Sequence, residues 1–227
     1  MHIEPGIVDG TKMAIGYATA AGVISFTARS LLQDLIKGHI GRLIGVSLIA
    51  TLLTFLSFEV LPHPTVGVSE VHLILGSTML LLLGVAPTAL GMMVGLALQG
   101  FIFAPSDLPQ FGMNVTTLLA SLFATAAIAK RFIPAQSRYV DLSYKDVVKL
   151  SLLFQGSIVA WVSFWVILGQ GAGVSTLQSI GTFGSAYLSV IAIEVALNIA
   201  LLAALRGSKS RALKRTLNPR LFAQASF

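Results

Sequence analysis

The chain has 227 residues, of which 55% are hydrophobic and only 11% charged, with a mean hydropathy of +0.85. That leaves too little polar surface to clothe a soluble globule, so the chain belongs in lipid. A formal charge of +6 raises nucleic acid as a partner, but in a membrane protein basic residues mark cytoplasmic loops, and the absence of cysteine excludes disulfides, thiolate metal sites and cysteine nucleophiles.

Residues 1–10 carry Glu4 and Asp9 ahead of Lys12 and no basic region. They do not read as a cleaved signal peptide, so Met1 is expected to be the mature N-terminus. Apolar stretches follow at residues 11–32, 43–61, 71–103, 115–128, 147–168 and 181–205. Their length predicts spanning helices rather than the alternating strands of a barrel, and an all-α fold class. The stretch 71–103 is too long for one span: as a single helix it would reach about 50 Å, against a hydrocarbon core of about 30 Å. Gly84, Val85, Ala86 and Pro87 offer the break, since glycine ends a helix and proline starts one.

Charge provides an independent count. With seven spans, the loops holding Arg29, Lys37 and Arg42 and holding Lys130 to Lys149 fall on one side together with the tail 206–227, so that 14 of the 15 Lys and Arg residues share that side and only Lys12 opposes them. The positive-inside rule then predicts a polytopic bundle with the N-terminus outside and a basic cytoplasmic tail. The tail, with Lys209, Arg211, Lys214, Arg215 and Arg220, reads as an anchor beside anionic headgroups. The whole chain reads as one integral membrane domain.

This topology sorts the histidines. His2, His63 and His72 fall on or near the outer face and His39 in a cytoplasmic loop. Imidazole is the usual ligand for Ni, Cu, Co and Zn. Histidine at position two lets one segment offer the amine of Met1, the backbone nitrogen of His2 and the imidazole of His2 to one ion, closing two chelate rings in a plane. One further imidazole completes a four-nitrogen square suited to Ni(II), Cu(II) or Co(II), and His72 is the natural candidate. Ser69 is expected to cap a helix starting at Glu70, which would put His72 in its first turn. From Val71 to Leu83 that helix covers only about 20 Å, so it would start sunken and leave a cavity for residues 1–10 to plug.

The opening Met1-His2-Ile3-Glu4-Pro5-Gly6 resembles that of the CbiM/NikM family, the substrate-binding membrane subunits of energy-coupling factor transporters for cobalt and nickel. Residues 67–76, with His72-Leu73, resemble the family's Gly-Thr-Ser-Gly-His-Leu segment, and residues 108–118, with Gly112-Met113-Asn114, resemble its Gly-x-Asn loop. The chain departs from that pattern at Glu70-Val71, where relatives have small residues, and at His63, which precedes Pro64. The resemblance implies that Met1, His2 and His72 bind one Co²⁺ or Ni²⁺ ion as cargo, that Asn114 supports the N-terminal segment, and that His63 stands beside the site. It also implies no catalysis by this chain. A transmembrane coupling subunit, ATPase subunits and a small accessory membrane protein are the expected partners, in the inner (plasma) membrane.

Glu194, in the middle of the last apolar stretch, is costly in lipid and is either functional or bonded to Asn198 one turn on. Ala14, Ala18 and Gly22 form a small-residue stripe that is expected to pack within the chain. A vitamin-binding subunit of the same architecture and a membrane scaffold are the alternative functions. A nucleotide-binding loop and a serine, histidine and carboxylate set are both missing from the sequence.

Overall fold

The computed structural model describes Ile3, residues 5–38 and residues 40–222. In chain order the helices are α1 (Met13–Ile36), α2 (Ile40–Phe55), α3 (Gly76–Leu83), α4 (Val85–Ile102), α5 (Phe111–Ala129), α6 (Tyr144–Gln170), α7 (Val174–Arg206) and the short α8 (Arg211–Thr216). A two-stranded hairpin, β1 (Thr65–Val66) and β2 (Ser69–Glu70), lies between α2 and α3. Among the described residues, five helical stretches are long and apolar enough to cross a bilayer: Ile40–Val60, Val85–Ile102, Pro105–Ala129, Tyr144–Gln170 and Val174–Arg206. Helix α1 is long enough, at about 36 Å, but Thr19, Ser25, Thr27, Arg29 and Ser30 make it more polar. The chain is therefore a multi-pass, all-α membrane protein.

The basic segments meet at one end of the bundle. Arg42 donates from Nε to the carbonyls of Thr216 and Leu217, Arg206 to that of Val140, and Arg220 to the Tyr139 hydroxyl and the Pro134 carbonyl. A cleft at this end is lined by Asp34, Lys37, Arg42, Lys130 and Arg220. The tail folds back here, with Leu221 fully buried, instead of trailing from the last helix. The opposite end gathers the N-terminal segment, the hairpin and the connection between α6 and α7: Lys12 Nζ reaches the Gly169 carbonyl, and a β-carbon at Gly67 would meet the Ser179 carbonyl.

The break between α3 and α4 falls at Gly84, as expected. Its φ of +95° and ψ of 171° belong to a region open essentially to glycine alone. The expected helix start at Glu70 does not hold. Ser69 and Glu70 pair with Val66 and Thr65, residues 71–75 are irregular, with Ile74 N–H turning back onto the His72 carbonyl at 2.9 Å, and α3 begins only at Gly76. The run Pro64-Thr-Val-Gly-Val-Ser-Glu-Val explains this: β-branched residues flank a two-residue turn in which Gly67 takes φ +64°, the chemistry of a tight hairpin rather than of a helix cap. The segment between the hairpin and Gly84 is thus part irregular and part helical.

Non-helical backbone buried in a membrane protein must find hydrogen-bond partners inside the protein. Gln155 of α6 donates from Nε2 to the Ile74 carbonyl (2.6 Å) and to Glu194 Oε2 (3.1 Å). Glu194 Oε1 accepts the backbone N–H groups of Ser77 (2.9 Å) and Thr78 (3.5 Å), so it caps the N-terminus of α3, where the helix dipole favours a negative charge. Asn198 is not its partner: its amide donates to the Ser77 and Ser151 hydroxyls. Ala14, Ala18 and Gly22 point away from the rest of the chain, and the buried face of α1 is instead Gly16, Ala20 and Thr27. The reason is Gly16, which lets Met113 of α5 approach α1 closely.

The cap sets a stability test. Glu194→Ala leaves the N–H groups of Ser77 and Thr78 unpaired, at about 1 to 3 kcal/mol for each buried donor, whereas Glu194→Gln keeps an acceptor oxygen and loses less. Unfolding of the purified protein in detergent measures the difference, and equal stability of Glu194→Ala and the parent would refute the capping role.

Candidate metal centre

The non-helical stretch after the hairpin decides which side chains meet. Along a strand, alternate residues share a face, so Glu70 and His72 project together, as they would not at helical spacing. Val71 N–H donates to the Pro64 carbonyl (3.0 Å), which carries the hairpin pairing one residue further and brings His63 back beside His72. The two imidazoles stack, with ring centroids 5.0 Å apart and planes at 13°. Phe58 covers His72 at 4.5 Å.

Glu70 bridges the pair. Its Oε2 stands 2.9 Å from His72 Nε2 and its Oε1 3.6 Å from His63 Nδ1. Ligand atoms of His63, Glu70 and His72 all lie within 4.8 Å of one another. The other ring nitrogen of His72, Nδ1, is 3.2 Å from the Ser57 carbonyl. A carbonyl only accepts, so Nδ1 carries the proton and Nε2 is the nitrogen turned toward Glu70. Ser57 owes its place to the π turn Leu56–Val60 at the end of α2, a device that re-aims a helix end. A first-row divalent ion fits such a set: imidazole nitrogen with one carboxylate, the buried ring being oriented by a hydrogen bond on its far nitrogen.

The N-terminal segment reaches the same place. Ile3, fully buried, forms an antiparallel bridge with Ser69, and its N–H donates to Asn114 Oδ1 at 2.9 Å. Asn114 sits in the first turns of α5, 1% exposed. Val8 is also fully buried, and a β-carbon at Gly169 would meet the Ile7 carbonyl, so the segment is packed into the bundle. Gly112, in the Gly-x-Asn sequence, is small because a β-carbon there would press on the Gly16 backbone at 3.0 Å. Of the residues singled out in the sequence, His63 and His72 are brought together by the hairpin, and Asn114 is joined to the same hairpin through Ile3 and Ser69. Met1 and His2, the two other expected ligands, lie outside the described residues, as does His39.

Sequence reasoning missed Glu70 as part of this cluster. Its signal was the hairpin pattern, which converts the Glu70 to His72 spacing into a shared face.

The sequence profile of CbiM, described as a cobalt uptake substrate-specific transmembrane region, matches residues 2–212. The chain belongs to the CbiM family. It is accordingly a transmembrane component of cobalt uptake. Comparison with curated proteins and with solved structures gives no match. Imidazole is among the usual ligands of divalent cobalt.

Asn114 provides a local test. Asn114→Ala removes the acceptor for Ile3 N–H, and the loss of one buried hydrogen bond, about 1 to 2 kcal/mol, speeds amide exchange across residues 3–10 about tenfold, whereas Asn114→Asp keeps an acceptor and slow exchange. Hydrogen exchange read by mass spectrometry checks this, and unchanged protection in Asn114→Ala would remove Asn114 from its supporting role.

Proposed function

We propose that this CbiM chain is the metal-capture subunit of an energy-coupling factor importer, binding Co²⁺ or Ni²⁺ through the Met1 amine, the backbone nitrogen and imidazole of His2, and Nε2 of His72. The observation that carries the reading is the anchoring of Ile3, which pairs with Ser69, three residues before His72 in the chain, and bonds to Asn114. His2 directly precedes Ile3 in the sequence, which supports its imidazole as a donor in the same site. His72 is fully buried with its Nδ1 on the Ser57 carbonyl, which suits Nε2 for ligation. Four nitrogen donors in a plane favour Ni(II) and Co(II) over oxygen-preferring magnesium.

In this reading the chain crosses an inner (plasma) membrane seven times, α1 and the part-helical third pass included, with the histidine end outside and the basic end in the cytoplasm. The chain performs no catalysis. A transmembrane coupling subunit and ATPase subunits, with a small accessory membrane protein, supply the energy, and hydrolysis on those partners drives the release of the ion by disturbing the N-terminal segment. Affinity falls as pH drops, because the amine and both imidazoles must shed protons to bind.

The test is a titration of purified protein with Co²⁺ and Ni²⁺, beside a version extended by one residue before Met1 and a His72→Ala variant. One tightly bound ion per chain is expected in the parent, with affinity reduced at least about a hundredfold in both variants, as loss of a ligand from a chelate demands. Tight binding that survives in both would refute the N-terminal donor set.

A further inference from the structure

The tight site just proposed leaves Glu70 and His63 without an assignment, although Glu70 stands directly in front of the nitrogen that receives the ion. His72 Nδ1 is fixed on the Ser57 carbonyl, and its Nε2 faces Glu70 Oε2 at 2.9 Å. An ion coming to that nitrogen must first meet this carboxylate. Exposure falls in the same order: the His63 side chain is 37% accessible, Glu70 22% and His72 0%. Accessibility therefore decreases from His63 through Glu70 to His72, with one carboxylate oxygen toward each ring.

We infer that His63 and Glu70 form an outer station for a divalent transition-metal ion, occupied before the ion passes to Nε2 of His72. The inference rests on the capture reading for its destination. The outer pair supplies one imidazole nitrogen and one anionic oxygen, a set that holds a partly hydrated Co²⁺ or Ni²⁺ weakly and lets it leave. Stacking of the two rings keeps the outer nitrogen and the inner one on the same side of the carboxylate. Rotation of the Glu70 side chain then carries the ion over a distance of less than about 5 Å, since the ligand atoms of all three residues lie within 4.8 Å of one another. Transfer exchanges the His63 nitrogen, the carboxylate oxygen and water for the nitrogen donors of the tight site, and the protons those donors shed pass to solvent. The carboxylate also places a negative charge at the mouth of the site, which raises the local concentration of cations.

The station is a kinetic element, and kinetics test it. Association of Co²⁺ with the full-length purified chain is followed by rapid mixing against a chromogenic chelator, and equilibrium affinity by calorimetry. In His63→Ala the association and dissociation rate constants are both expected to fall about tenfold while the equilibrium constant stays within threefold. Retention of the tight site in that variant also shows that it folds. In a second arm, His72→Ala and the chain extended before Met1 each retain one weakly bound Co²⁺, which disappears when His63→Ala or Glu70→Gln is added. Unchanged rates in His63→Ala, or no weak cobalt binding in either blocked form, overturns the inference. A parent chain with no tight site at all would instead refute the capture reading, and the weak site at His63 and Glu70 would then be seen alone.

Discussion

Everything at the histidine end depends on how the third pass through the bundle satisfies its backbone. Peptide groups that leave a helix inside a bilayer lose several kcal/mol unless the protein itself provides partners. Residues 71–75 are non-helical and mostly buried, and they survive because Gln155 takes the Ile74 carbonyl and Glu194 takes the first N–H groups of α3. Only then can His72 follow the hairpin directly, beside Glu70 and stacked on His63. Were this stretch helical, the same residues would point to different sides and no cluster would form.

The short helix that follows is tied at its other end as well. Asn218 donates its backbone N–H to the Leu82 carbonyl at 2.7 Å, and Arg42 reaches the Leu83 carbonyl at 3.4 Å, so the carbonyls left open by the break at Gly84 are answered by α2 and by the folded tail. A helix of eight residues, about 12 Å long, therefore links the polar layer below His72 to the basic end. The space above it, which a full-length helix would fill, is taken by Ile3, Val8 and the hairpin. Close packing around this unit is secured by small residues: at Gly76 a β-carbon would collide with the Phe154 ring, and at Gly91 with Ala50 of α2.

Much of this was legible in the sequence because the bilayer imposes strong rules. Runs of apolar residues give the long helices, and the excess length of residues 71–103 demanded a break that Gly84 supplies. Asn114, singled out as a support for the N-terminal segment, accepts the Ile3 N–H, and His63 and His72, singled out on the outer face, stack on each other. What periodicity did not reveal is the hairpin strand Ser69–Glu70 and the non-helical residues 71–75 that follow it: a serine before an acidic residue looks like a helix cap, and the competing hairpin signal at Gly67 is only two residues wide. Glu194 illustrates a different limit. A buried acid announces itself, but its partner, the N-terminus of a broken helix 117 positions away in sequence, is a product of the fold. The exposed stripe of Ala14, Ala18 and Gly22 failed because small residues mark close approach without saying which side of α1 is approached, and Gly16 was the position that mattered.

The two carboxylates of this end show how placement divides their roles. Glu194 is fully buried, with one oxygen on the N–H groups of Ser77 and Thr78 and the other on the Gln155 amide. Both oxygens are already taken by fixed donors of the protein, which leaves an entering cation little to gain there. Glu70 faces two imidazoles and partial solvent, where ligands can exchange. An importer needs its cargo to bind at the mouth and not to be trapped deeper in the lipid, since a divalent ion held by an unshielded buried carboxylate would be slow to leave. Spending the deep acid on the backbone and leaving the shallow one to the histidines meets both demands with the same residue type.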